Sequence, residues 1–271
     1  YRKPAETRCQ YIMENDMAIV KKPTAAATME IHALKQGRIK LRMIGQTPMY
    51  FNSMGAKAWR DLLVGGGRKT AAEKKNIKHN PEQEFRDSVY KKSTGDTHLC
   101  FPAAGVKGAM ATAALETEGI KKTSVQRLIF LPESQIQIWG KPYLKMDIVR
   151  SADMNKTPDV RTRAYLPNWC AEVDIKFVTP TLSAFSIVSL LQNAGTIVGI
   201  GDFRQEKGRG SYGTFSVASS EEMGEQQEIW DDITQEAREV QELAMEHPEC
   251  ADDQTRELMQ FIQEERLRRA A

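Results

Sequence analysis

The sequence of 271 residues predicts an α+β fold, and three observations carry this prediction. Two segments, 37–45 and 169–178, alternate apolar and polar residues as half-buried strands do. Two others, 103–116 and 181–195, have the apolar spacing of short helices. The strands and helices also interleave along the chain, which is typical of mixed architectures rather than of a helical bundle or a sandwich.

The first predicted strand, "GRIKLRMIG", places its apolar residues on one face and three cations on the other. The cations are Arg38, Lys40 and Arg42. Because like charges side by side repel, this face needs relief from water, salt ions or phosphates. The three residues are therefore candidate phosphate contacts.

Residues 56–98 are polar and lysine-rich, which predicts an insertion with a short helix at Pro81–Lys92. "GGGRKT" within it lacks the spacing of a nucleotide-binding P-loop, and no apolar strand leads into it. Residues 1–30 carry few helix or strand signals and are predicted to form an arm. The helix at 103–116 follows the insertion, and Gly105 and Gly108 near its start favour close approach to another backbone.

Two strand-like runs, 125–140 and 142–150, precede a polar link at 152–165 that contains Arg161 and Arg163. The second alternating segment and the second helix come next. Thr181 or Ser183 is the expected N-cap of that helix, and Gly195 its stop. A last strand follows at 212–217. With the insertion removed, this order is the βαββαβ of a ferredoxin-like or RNA-recognition-like core.

A glycine-rich loop, "GIGDFRQEKGRGSYGTF", joins the second helix to the last strand. Glycines allow close backbone approach, and cations attract anions, so the loop predicts a phosphate site. Its candidate contacts are Arg204, Lys207 and Arg209, and its candidate backbone-approach residues are Gly199, Gly201, Gly208 and Gly210. Lys107, in the first helix, is expected on the same side of the sheet.

Charge divides the chain into a basic body, 1–220, and an acidic helical tail, 221–271, with a helix break at Pro248. The body holds 33 basic and 20 acidic residues, and the tail 5 basic and 16 acidic, which favours a polyanion-binding body. Aromatic residues among the cations suit single-stranded nucleic acid. The strand "RIKLRMIG" lacks the paired aromatics of an RNA-recognition sheet, so loops are expected to carry the binding.

No catalytic motif, metal-ligand spacing or cofactor motif is present, and the four cysteines are dispersed. Cys100 and His98 could share a strand face, but a buried thiol and a surface imidazole are the simpler interpretation. No apolar run reaches the ~20 residues of a membrane span, and the first residues lack the apolar core of a signal peptide. A cytoplasmic protein with no cofactor is expected.

Three segments, in this order, resemble the RAMP superfamily, the RNA-binding proteins of CRISPR effector complexes. "KLRMIGQTPMYFNSMG" is similar to the family's first strand and turn, "FPAAGVKGAMATAA" to the start of its first helix, and "GIGDFRQEKGRGSYGTFSV" to its glycine-rich loop. Lys107 and Gly108 fall where the family has a lysine–glycine pair. The tail 221–271 and the insertion 56–98 depart from the pattern.

The resemblance implies a non-catalytic backbone subunit that polymerises along a guide RNA, beside other effector subunits. Two alternatives stay open on the residues alone. One is a protein that coats or anneals single-stranded DNA, and the other is a structural protein of a phage assembly that binds no nucleic acid.

Overall fold

The computed structural model describes residues 33–55, 79–150, 157–207, 210–219 and 226–270, together with Trp59, Leu63 and Gly224. The predicted arm, the first part of the predicted insertion, Gly208 and Arg209 lie outside these residues. Within them the chain forms ten strands and seven α-helices, and the strand pairs are antiparallel. The α+β prediction is confirmed.

The two alternating segments form the centre of the larger sheet. They are β1 (Lys35–Gly45) and β9 (Cys170–Thr179), which pair with each other along most of their length. Leu41, Met43 and Ile175 lie fully buried on one face, as the alternation predicts. The sheet continues outward from this pair in the order β10-β1-β9-β6-β4-β3, with β5 on another part of β9. The added strands are β3 (Tyr90–Lys91), β4 (Leu99–Pro102), β5 (Ile129–Phe130), β6 (Gln135–Trp139) and β10 (Phe215–Ser219).

Helices cover the buried face of this sheet. α2 (Ala103–Ala113) confirms the first predicted helix, and α4 (Ala184–Asn193) confirms the second, with Ser183 as its N-cap. Their apolar residues, including Val106, Met110 and Leu191, join the sheet residues in one core. Helix α4 continues beyond the predicted stop at Gly195 as a π-helical turn, Ala194–Val198, which ends at Gly199. A Cβ at Gly195 would overlap the Phe215 carbonyl, so this glycine serves close packing on β10.

Three other sequence predictions are corrected. The predicted polar link is mostly strand β8 (Pro158–Leu166), since Thr162, Ala164 and Leu166 are buried at alternate positions. It pairs with β7 (Tyr143–Arg150) and β2 (Met49–Tyr50) in a second sheet.

The start of the predicted run 125–140 is helix α3 (Lys122–Leu128), which buries Val125. Helix α1 (Pro81–Asp87) ends before the predicted Lys92, because residues 90–91 form β3.

The acidic tail folds back on the body as α5 (Gln226–Thr234), α6 (Arg238–Glu246) and α7 (Asp253–Ala270). The first predicted tail helix is therefore two helices. Trp230 packs on Trp139, with the Arg42 guanidinium 4.5 Å from the Trp230 ring centroid.

Gln241 of α6 is fully buried and forms hydrogen bonds with four backbone groups. It accepts bonds from the amides of His98 and Leu99 and donates to the carbonyls of Ile138 and Gly140. Through Gln241, the tail thus forms hydrogen bonds with backbone groups of β4 and β6.

Candidate nucleic-acid interface

The glycine-rich loop and helix α2 meet at one cavity of about 270 Å³. Gly105, Gly108 and Thr112 line it from α2, and Lys122 and Gln126 line it from α3. The π-helical turn and the following loop supply the opposite wall. The residues of that wall are Val198, Gly199, Ile200, Gly201, Arg204 and Glu206. Two segments that were singled out separately in the sequence therefore share one site.

Close contacts with backbone, in β2 and in the loop itself, explain two of the loop's glycines. Gly201 has φ +88°, and a Cβ there would lie 2.6 Å from the Tyr50 carbonyl oxygen. A Cβ at Gly210 would overlap the Phe203 carbonyl. Only glycine accommodates such approaches without displacing the backbone. We also predicted that these glycines give a ligand access to the backbone, and this stays a prediction.

Among the described residues, two cations line the cavity, and each already has a partner. The Lys122 ammonium donates to Thr112 Oγ1 over 3.0 Å. The Arg204 guanidinium donates to Glu206 Oε2 over 2.8 Å and to the Gly201 carbonyl over 3.2 Å. An anion in the cavity would therefore share this guanidinium with Glu206. Arginine offers five donors, so the same guanidinium can hold a carboxylate and a phosphate from different sides.

Gly108 differs from the loop glycines because a Cβ there would meet nothing within 4 Å. It lies on the wall of the cavity, and the backbone beside it is open to a ligand. Lys107, its neighbour, is not among the residues that line the cavity. Its ammonium lies 5.7 Å from the ring centroid of the exposed Phe130.

The predicted cations of β1 lie on the sheet face opposite α2 and α4. Arg38 donates to both carboxylate oxygens of Asp174, and the Lys40 ammonium lies 3.6 Å from Glu172. Arg42 lies 3.8 Å from Glu172 and stacks on Trp230. Because β9 supplies these carboxylates, the repulsion between the cations is relieved within the sheet. These three cations lie away from the cavity, and their role as phosphate contacts stays a prediction.

The two predicted arginines of β8 have different surroundings. Arg161 is exposed and lies opposite Asp147 in the register of β7 and β8. Arg163 is only 2% exposed, with Asp147 and Asp202 as ion-pair partners. It lies within an aromatic cluster that contains Tyr50 and Phe203. Burial, and then the Asp147 charge, raises the pKa of the Tyr50 phenol above its usual range.

Sequence reasoning missed Lys122, Gln126 and Glu206 as residues of the site. Lys122 and Gln126 are four residues apart, so they share one side of α3. Glu206 gave no signal, because its importance comes from its contact with Arg204. Of the loop's other predicted cations, Arg209 lies outside the described residues, and of Lys207 the structure gives only its backbone, in a 3₁₀ turn at Gln205–Lys207.

The two buried thiols, Cys100 and Cys170, lie where burial favours their protonated form. Burial raises the pKa of Cys100 to about 11 and that of Cys170 to about 12, so both stay protonated near neutrality. Burial lowers the pKa of His98.

In the part of the chain that the structure describes, no group of three or more histidine, cysteine or acidic side chains is placed to hold a metal ion. None of the described helices has the length and apolar character to cross a membrane.

The sequence matches no protein-family model and no curated protein. The chain is similar to several solved structures, and two of them illustrate the likeness. One is a chain of the Type III-B Cmr-beta bound to cognate target RNA, at 12% identity and a TM-score of 0.39. The match covers 68% of this chain and 60% of that one. Another is Cmr6 from Pyrococcus furiosus, at 10% identity and a TM-score of 0.34, covering 68% of this chain and 99% of that one. At these TM-scores, the likeness fixes neither fold nor function.

Proposed function

We propose that this chain binds single-stranded RNA and is a non-catalytic backbone subunit of a CRISPR-type effector ribonucleoprotein. The observation that carries the proposal is the shared cavity of α2 and the glycine-rich loop. The two segments resemble the first-helix entry and the glycine-rich loop of the RAMP superfamily, and they meet around Lys122 and Arg204. The proposal includes a guide RNA and further copies of the chain as partners, and a cytoplasmic location.

The cavity has the chemistry to hold an RNA backbone. Lys122 supplies a point charge, and Arg204 supplies a planar fork that fits phosphate oxygens. Gly108 leaves the α2 backbone open to a sugar or phosphate. These contacts would position the RNA backbone without reading its bases. A subunit that repeats along a guide RNA needs such binding, because it meets a different sequence at each position.

The strand order supports the proposed ferredoxin-like core. The four strands β10, β1, β9 and β6 are neighbours in that order. Helix α2 lies between β1 and β6 in the chain, and α4 lies between β9 and β10. This strand order and these helix positions support a βαββαβ unit. The proposed division of the chain is a body at 1–220 and a tail at 221–271.

The first test changes Arg204, Lys207 and Arg209 together to alanine. We expect the affinity for single-stranded RNA to fall by about 1–3 kcal/mol, the scale of charge-assisted contacts, with little change in thermal unfolding. The matched control replaces three exposed cations of α7, Arg256, Arg268 and Arg269, with alanine. It removes the same charge away from the loop, and we expect a smaller loss. Equal losses would show that only net charge matters and would remove the loop from the proposal.

The nucleic acid that copurifies with the chain distinguishes the remaining candidates. RNase-sensitive material supports the proposal, whereas DNase-sensitive material would favour a protein that coats single-stranded DNA. Affinity for RNA should also fall linearly with the logarithm of salt concentration, because phosphate binding releases counterions. A chain that carries no nucleic acid and shows no salt-dependent binding would be a structural protein instead.

A further inference from the structure

One buried side chain, Arg163 of β8, contacts both the glycine-rich loop and strand β7. Its Nη1 donates to Asp202 Oδ2 over 2.6 Å, and its Nη2 donates to Asp147 Oδ2 over 3.1 Å. Asp147 belongs to β7, whereas Asp202 belongs to the loop and follows Gly201 directly. A guanidinium that is 2% exposed requires such partners, because an uncompensated buried charge is strongly unfavourable.

The same guanidinium also holds the next loop residue. Its carbon lies 4.4 Å from the ring centroid of Phe203 and 4.8 Å from that of Tyr50. Phe203 has φ +51°, in the left-handed region that a phenylalanine rarely adopts. Such a backbone persists only where the surroundings over-determine it. Arg163 therefore fixes two consecutive loop residues, one by charge and one by stacking.

Arg204 follows these two residues and reaches the cavity beside Gly201 and Glu206. We propose that Arg163 is a positioning residue, which acts through Asp202 and Phe203 to aim Arg204 into the RNA-binding cavity. It does so without touching RNA itself. This inference rests on the proposed function, and it gives Arg163 a role other than the direct RNA contact expected from the sequence.

The test compares Asp202→Asn with Asp147→Asn. Each variant removes one carboxylate charge from the same buried guanidinium, and only Asp202 lies in the loop. Both variants make the protein more positive, so electrostatics alone predicts tighter RNA binding. We expect Asp202→Asn to weaken RNA binding about tenfold, as the loss of one well-aimed charge-assisted contact would, and Asp147→Asn to have a much smaller effect.

A double-mutant cycle distinguishes positioning from general destabilisation. If Asp202 acts through Arg204, Asp202→Asn should add little to the loss that Arg204→Ala causes. Additive losses, or equal weakening by Asp202→Asn and Asp147→Asn, would overturn the inference. If Arg204→Ala binds RNA like the parent, the proposed function of the loop fails instead.

Hydrogen exchange provides a readout that needs no RNA. Amides of the segment 199–213 should exchange faster in Asp202→Asn than in Asp147→Asn, while β9 amides exchange as in the parent. Phe203→Gly is the second variant, should Asp202→Asn not fold. Glycine accepts the positive φ and removes the stacked ring, so it should also speed exchange and weaken RNA binding. Unchanged exchange in both variants would overturn the anchoring role.

Discussion

Gly105 and Gly108 lie one helical turn apart on α2, and their surroundings differ. A Cβ at Gly105 would lie 2.6 Å from the Phe101 ring, whereas a Cβ at Gly108 would meet nothing within 4 Å. The first glycine is thus required by its contact with the Phe101 ring. The second has no such requirement, which fits a backbone surface kept open for a ligand.

Gly108→Ala should therefore stabilise the fold and weaken RNA binding. The free energy of unfolding should rise by up to about 1 kcal/mol, because alanine favours a helix more than glycine does. Gly105→Ala is the control, and it should lower that free energy by about 1 kcal/mol as Phe101 is displaced. Chemical denaturation and RNA titration measure the two effects. A Gly108→Ala chain with parental affinity would show that no ligand approaches α2 there.

At the level of elements, the acidic tail is fastened to the body by specific bonds. Asp252 caps the start of α7 by accepting from the Thr255 amide over 2.8 Å, and it accepts from the Lys145 ammonium of β7 over 2.5 Å. These hydrogen bonds, with that from Lys145 first, lower the pKa of Asp252 to about 2. Lys141 and Glu249 form a similar link over 2.8 Å. Part of the tail's charge is thus balanced by its own body.

Asp252→Asn should destabilise the protein at neutral pH and much less in acid. A carboxylate with a lowered folded-state pKa contributes stability above its unfolded pKa, near 3.8, and loses it as the pH falls toward about 2. The difference in unfolding free energy between parent and variant should therefore shrink between about pH 5 and pH 2. Asp253→Asn is the control, since its side chain is 88% exposed. A pH-independent difference would contradict this role for Asp252.

Considered as a whole, the molecule combines a basic body with an acidic tail that is docked on that body. The tail's Trp230 and Gln241 are buried, so the tail belongs to the folded unit in this chain. Contacts between copies are therefore expected from surfaces outside these tail contacts. A repeated head-to-tail contact that does not close into a ring gives a filament.

Protein–RNA complexes should accordingly grow with RNA length. We expect the sedimentation coefficient to rise with the length of single-stranded RNA, at a constant mass ratio of protein to RNA. The same RNAs mixed with the Arg204, Lys207 and Arg209 triple variant provide the control, and their complexes should be fewer. One bound protein per RNA regardless of length would contradict polymerisation and leave simple RNA binding intact.

The sequence by itself determined the central strands, the two core helices and the position of the glycine-rich loop. Periodicity determines these, because burial of one face of a strand or helix leaves an apolar repeat in the residues themselves. The β1 and β9 alternation is an example. Of the two N-caps that the sequence allowed for α4, the structure has Ser183. Strand β8 was missed because Thr162 and Ala164 give its inward positions little apolar character, and α3 because its seven residues give little periodic signal.

Only the tertiary structure decided which charges remain available to a ligand. Arg38, Arg163 and Arg204 look alike in the sequence, yet one pairs with a neighbouring strand, one is buried beneath the loop and one lines the cavity. Their partners, Asp174, Asp202 and Glu206, depend on sheet register and loop path. The charge of a side chain can be read from its own residue type. Which charges pair depends on distances between segments remote in the chain, and periodicity does not encode these distances.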